Sequence, residues 1–228
     1  MGGFRFERFL GRSPIRFGPL LMLFLRFPFN GQRKRKELFT ELLRLPFDAI
    51  VETGTFIGSS TAFFGRACGA GVYGVEKNPV CSWFARLRLK RLAGVRVVTG
   101  DSREFLKSLR QSASFPKKNV LFYLDAHGGS DVPLPEEVAI ITGSWSEFVI
   151  VIDDFEVPGD PGYHFDDYGS AGVFSLRCFD FRKIAHVALF SPSAPASSET
   201  GFRRGCIVLV SRDSMLPKIA KVRALHGT

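Results

Sequence analysis

VETGTFIGSST, residues 51–61, is the stretch whose reading decides the fold. It continues the apolar run that begins at Ala49, passes through Glu52 and Gly54, and reaches Gly58 followed by three hydroxyl residues. This is the grammar of a strand, a tight turn and a helix start. Gly54 lets the backbone turn sharply and approach a ligand. Gly58 lets the helix begin close to the strand. Ser59, Ser60 and Thr61 place hydroxyls and free backbone N–H groups at a helix N-terminus, a seat for an anionic group.

The same grammar recurs along the chain. Glu52, Glu76, Asp101, Asp125 and Asp153 each close an apolar run, at intervals of 24, 25, 24 and 28 residues. Each interval is the length of one strand, one helix and two loops. The runs are continuous rather than alternating, so both faces of the sheet are covered and the strands are parallel. A carboxylate after several apolar residues is a poor core residue. It suits the carboxyl end of a buried parallel strand, where open α/β sheets bind ligands.

Strands are expected at 49–55, 72–75, 95–99, 120–124 and 148–152. The apolar spacing of Leu38, Leu42 and Leu45 predicts a helix over 32–45, ended by Pro46. Asn78 caps a helix with Pro79 at its first position, and Asp101 with Glu104 forms the pattern of a capping box. A short helix opens at Pro135. After Asp154 comes a long Gly/Pro/Asp/aromatic loop, 156–172, of a length that usually serves function. Two later strands, 186–190 and 206–210, have no helical pattern between them and should pair antiparallel.

The 228 residues are 45% hydrophobic with a net charge of +9. The charge is localised: residues 1–36 carry nine bases and one acid, and the remainder is nearly neutral. A nucleic-acid partner is therefore not expected of the folded body. The reading divides the chain into a basic, Phe-rich arm, 1–31, and a domain, 32–228. The arm suits either an anionic membrane surface or a cap docked on the domain, and both stay open. Its longest apolar run, 19–25, is too short to span a bilayer and has no cleavage signature. Four scattered cysteines without metal-site spacing suggest free thiols in a reducing, cytoplasmic setting.

Two sites follow from the acids. Glu76 can accept from a ribose diol, and Asp101 with Ser102 from an exocyclic amine. The GxxxGxS pattern departs from the GxGxxG dinucleotide fingerprint. That counts against a nicotinamide- or nucleotide-binding enzyme, one alternative reading. A non-catalytic tethered module is the other. Asp125, Asp153 and Asp154 end neighbouring strands, and three converging carboxylates suit a hard divalent cation such as Mg²⁺. His127, two residues past Asp125, is read as a general base, a metal ligand or a structural loop residue.

VETGTFIGSST, VYGVEKNP and VTGDSREFL together resemble motifs I to III of class I S-adenosylmethionine-dependent methyltransferases. The likeness is strongest to the metal-dependent small-molecule O-methyltransferases of catechol, caffeoyl-CoA and macrocin type, and it covers about residues 45–211. It implies an α/β, Rossmann-like fold: a mostly parallel seven-stranded sheet with an antiparallel last strand and helices on both faces. It implies S-adenosylmethionine as cofactor, with Gly54 beside the methionine part, Ser60 on its carboxylate, Glu76 on the ribose, and Asp101 and Ser102 at the adenine. Glu52, Thr55, Gly58 and Ser59 complete the first motif. It implies Mg²⁺ on Asp125, Asp153 and Asp154; Asp125 and, by its position rather than by the resemblance, His127 are the catalytic candidates. His127 stands where those families have an acid or a lysine. The acceptor would be a small-molecule or glycan hydroxyl, and a homodimer is compatible with the resemblance.

Overall fold

A computed structural model describes residues 27–128 and 131–228 of the chain. Five parallel strands, β1 (Ala49–Thr53), β2 (Gly71–Glu76), β3 (Val95–Thr99), β4 (Val120–Leu124) and β5 (Phe148–Asp153), form the first half of one sheet. β6 (Val187–Pro192), β7 (Cys206–Ser211) and β8 (Leu225–Gly227) complete it. The strand order is β3-β2-β1-β4-β5-β7-β6-β8. The order reverses between β1 and β4, so the ends of those strands flank the crevice where open α/β sheets bind ligands.

The expected sheet of seven strands gains an eighth. β7 runs antiparallel to β5 and β6, as the missing intervening helix suggested, and β8 adds a short antiparallel edge on β6. The eighth strand had no signature in the sequence: β8 is three residues long, and the apolar residues before it are broken by Pro217 and by bases.

Helices α1 (Arg33–Leu42), α2 (Ser59–Ala67), α3 (Pro79–Leu89), α4 (Ser102–Gln111), α5 (Leu134–Thr142) and α6 (Arg212–Ile219) accompany the sheet. Strands β1, β4, β5 and β7 are buried along their whole length. Their residues alternate between two cores, one built with Leu106, Phe122, Trp145 and Ile152, the other with Phe39, Phe64, Tyr123 and Val208. Covering both faces explains why the runs are continuously apolar.

Asn78 caps α3, its side chain accepting from the N–H groups of Val80 and Cys81. The expected capping box at α4 forms in half. Asp101 accepts from Arg103 N–H, but the Glu104 side chain pairs with Lys107 instead.

The packed unit reaches back into the segment read as an arm. Phe29 is buried among Phe39, Phe63, Phe64 and Tyr123, stacked on Phe39 at 4.6 Å between centroids. Residues 1–26 lie outside the described residues. α1 is fastened by a distant loop: the Glu199 carboxylate accepts from the N–H groups of Lys34 and Arg35, meeting the unsatisfied donors of the helix start. All four cysteines are unpaired thiols.

Candidate active site

The β1–α2 loop sets one half of the site. Gly54 has φ +79°, and a Cβ there would lie 2.0 Å from the carbonyl oxygen of Asp125. The glycine is therefore demanded by the close approach of two strand ends, which brings the first motif against the residues after β4. Gly58 also has a positive φ, and a Cβ there would press on Leu89 and Ala85 of α3. α2 starts after Gly58, which as N-cap brings no side-chain cap.

Glu76 is the ordered acid of this half. Its two carboxylate oxygens accept from Phe56 N–H and Asn78 N–H, both at 2.7 Å. Each oxygen has further acceptor capacity, so a fixed carboxylate remains available to a diol. Asp101 is engaged by Arg103, whose guanidinium also reaches Asp131 and Glu136. These hydrogen bonds from Arg103 hold the Asp101 carboxyl at about 2. Lys77 joins Asp131 at 2.9 Å. This ionic bridge reaches the loop after β4, and Arg103 and Asp131 were not among the residues singled out from sequence.

Glu52, Thr55 and Ser102 lie beneath the surface of the site. Glu52 is fully buried and accepts from the Thr61 hydroxyl. Burial pushes its carboxyl up to about 7, against the lowering effect of the Ser60, Thr61 and Thr55 hydroxyls. Ser59 is bonded by Arg88. Ser102 faces a second buried acid, Glu137 of α5, whose carboxyl burial also raises to about 7 while Ser102 and Thr53 lower it. Glu137 reads in the sequence as an ordinary first-turn acid. Only its burial marks it out.

Both acids favour the protonated form in the folded state relative to the usual 4.5. Their contribution to stability is full below about 4.5 and is lost as pH rises through about 7. Each amounts to on the order of 3 kcal/mol. The melting temperature should therefore fall across that interval, and Glu137→Gln should flatten the fall. A melting profile equally steep in the variant would refute the assignment.

The second half of the site departs from expectation. Asp125 and Asp154 approach each other as expected, but Asp153 does not join them. Asp153, 1% exposed, turns into the core, where its carboxylate is ion-paired with Arg35 of α1 and accepts from Tyr123 Oη at 2.6 Å. Burial opposes the Arg35 charge, and the adjacent Asp153 more than offsets that. Arg35 was counted among the bases of residues 1–36, yet it is itself buried. Strand alternation puts Asp153 on the same face as Val149 and Val151, toward Phe39 and Tyr123, while Asp154 lies past the strand end with φ +53°.

His127 takes the place expected of Asp153. Its Nε2 lies 3.6 Å from Asp125, 3.4 Å from Asp154 and 3.6 Å from Asp166. Phe174 packs edge-on against the ring at 4.7 Å. Asp166 comes from the long loop, whose residues 164 and 167 bridge to Arg204 and Val173. Arg204 ion-pairs with both Asp154 and Asp166. Burial works against the Asp154 carboxylate, but His127 and Arg204 hold it at about 2. Burial, then the charges of Asp153 and Asp154, push Asp125 well above the usual carboxylate range.

Asp125, His127 and Asp154 can bring one ligand atom each within 4.8 Å of one another. Two oxygens and an imidazole nitrogen fit a divalent first-row ion such as Mn²⁺ better than Mg²⁺, which prefers oxygen alone. A cleft of about 380 Å³ lined by Lys34, Glu37, Tyr163 and Arg223 lies apart and includes none of the residues singled out for cofactor, metal or catalysis.

No protein-family model matches the chain, and no curated protein matches its sequence. Solved structures do match in shape. An O-methyltransferase from Bacillus cereus, in complex with S-adenosylhomocysteine, is 18% identical with a TM-score of 0.59, over 90% of this chain and 96% of that one. The O-methyltransferase TomG from Streptomyces achromogenes, which takes part in tomaymycin synthesis and is in complex with S-adenosylmethionine, is 19% identical with a TM-score of 0.57, over 78% of each chain. The chain thus has the fold of the class I S-adenosylmethionine-dependent O-methyltransferases.

Proposed function

We propose that the protein is an S-adenosylmethionine-dependent O-methyltransferase acting on a small-molecule or glycan hydroxyl. The observation that carries the reading is the juxtaposition across β1 and β4: the Gly54 turn with the uncapped start of α2 and the fixed Glu76 carboxylate on one side, His127 among carboxylates on the other. The likeness in fold to methyl-donor-bound enzymes supports it.

In this reading Glu76 accepts from the ribose diol, and the start of α2 with the Gly54 turn receives the methionine end of the donor. Arg103 moves from Asp101 when the adenine amine is received there. His127 removes the proton of the acceptor hydroxyl as the oxygen attacks the sulfonium methyl, a role worth roughly 10²–10⁴ in rate. The proton is received beside Asp125, Asp154 and Asp166. The loop carrying Asp166, Tyr168 and Phe174 walls the acceptor side and excludes water. A divalent cation on Asp125, His127 and Asp154, when bound, would lower the pKa of the acceptor hydroxyl in place of His127's action as base, since a coordinated imidazole nitrogen accepts no proton.

Calorimetry with S-adenosylhomocysteine should show binding to the wild type and at least roughly tenfold weaker binding to Glu76→Ala, the loss of one charge-assisted pair of hydrogen bonds. Equal, weak binding by both would refute the cofactor assignment. For the cation, titration with MnCl₂ and MgCl₂ should show heat for Mn²⁺ that is lost in Asp154→Asn. No heat with either ion, and a methyl-transfer rate indifferent to EDTA, would leave proton removal to His127 alone.

A further inference from the structure

One surface is left unused by this chemistry. The helix α3 buries Cys81, Ser82, Phe84, Ala85 and Leu89. Its opposite side presents Val80, Trp83 and Leu87, with Trp83 and Val80 each 55% exposed. The spacing i, i+3, i+7 places all three on one stripe. Large apolar side chains aligned on a solvent-facing helix mark an interaction surface rather than chance exposure.

The charge around the stripe is of one sign. Between Glu76 and Asp101 the chain has six bases (Lys77, Arg86, Arg88, Lys90, Arg91 and Arg96) and no acid. Arg86, Lys90, Arg91 and Arg96 are exposed. Helical spacing sets Arg86 and Lys90 beside Trp83 and Leu87. A helix with an aromatic and aliphatic stripe flanked by bases is suited to lie in the plane of an anionic bilayer surface. Nucleic acid would match the charge but would leave Val80 and Leu87 without a partner.

We propose that the exposed face of α3 docks on an anionic lipid surface, with Trp83, Val80 and Leu87 at the acyl boundary and Arg86 and Lys90 at the headgroup phosphates. Phe56, 40% exposed, sits at the same end as Val80: both its N–H and that of Asn78 bond to Glu76. Docking would therefore bring the Glu76 edge of the sheet toward the bilayer.

The full chain reports on this directly, because Trp145, the other tryptophan, is buried in the core. With vesicles of phosphatidylcholine plus phosphatidylserine, Trp83 emission should shift to the blue and be quenched by brominated acyl chains. Phosphatidylcholine alone should do neither. Arg86→Gln and Lys90→Gln should each weaken partitioning roughly fivefold at low salt. Trp83→Phe should remove the quenchable signal while leaving the melting temperature unchanged. Three results would overturn the proposal: Trp83 equally open to aqueous iodide with vesicles bound, protection that grows with protein concentration without lipid (a second copy of the chain), or protection by an oligonucleotide but not by vesicles.

Discussion

Arg35→Met is expected to destabilise the protein by about 3–5 kcal/mol, the cost of leaving a buried carboxylate without its cation. For a chain of this size that lowers the melting temperature by roughly 10 °C or more. Arg35 and Asp153 are both buried, and Tyr123 Oη supplies the remaining strong hydrogen bond to the carboxylate. Arg35 also donates to the backbone carbonyl of Arg204 at 2.9 Å. Loss of Arg35 therefore loosens α1, the end of β5 and the segment carrying Arg204 together, and with them Asp154. Adding Asp153→Asn to Arg35→Met should recover much of the loss, since the unpaired charge is then gone. Thermal melts of both single variants and the double variant give the coupling. A melting temperature for Arg35→Met within the small range of an ordinary surface change, about 0.5 kcal/mol, would show that the pair carries no such weight.

Gly54→Ala is the second large effect. A side chain at φ +79° is strained by about 1–2 kcal/mol on its own. The added carbon would also meet the Asp125 carbonyl carbon at 2.4 Å and the Ala126 nitrogen at 2.8 Å. These are backbone atoms of the adjoining strand end and cannot rotate away. Gly94 supplies the control: it has φ +78° and open space where the Cβ would go. Gly94→Ala should carry only the backbone term. Gly54→Ala should lose about 3 kcal/mol or more and should weaken S-adenosylhomocysteine binding at least roughly tenfold. Equal melting temperatures for the two variants would show that the strand ends part more easily than the packing implies.

Much of the architecture was legible because burial on both faces writes itself into composition. The continuous apolar runs of β1, β4 and β5 and the acids that follow them gave strand positions to within two residues. Asn78–Pro79 marked a helix start through local chemistry alone. The tail was not legible: α6 contains Pro217, and β8 is three residues long and paired only at the sheet edge.

The candidate site divides along the same line. The positions of Glu76, Gly54 and Asp101 at strand ends were legible, because the apolar runs before them mark where the strands stop. Those of Arg35, Glu137 and Arg204 were not, because nothing local distinguishes a base or acid bound for the interior from one bound for solvent. Arg35 and Asp153 are 118 residues apart, and Arg204 and Asp154 are 50 apart.

The sequence by itself therefore determined the alternation of strands and helices, the acid edge and the two-sided burial, all set by local periodicity and the hydrophobic effect. Only the tertiary structure decided which acids act together. Strand alternation turned Asp153 inward to Arg35, Gly54 let β1 approach Asp125, and the long loop brought Asp166 beside His127. Pairing of charges depends on distances in space that chain spacing does not carry.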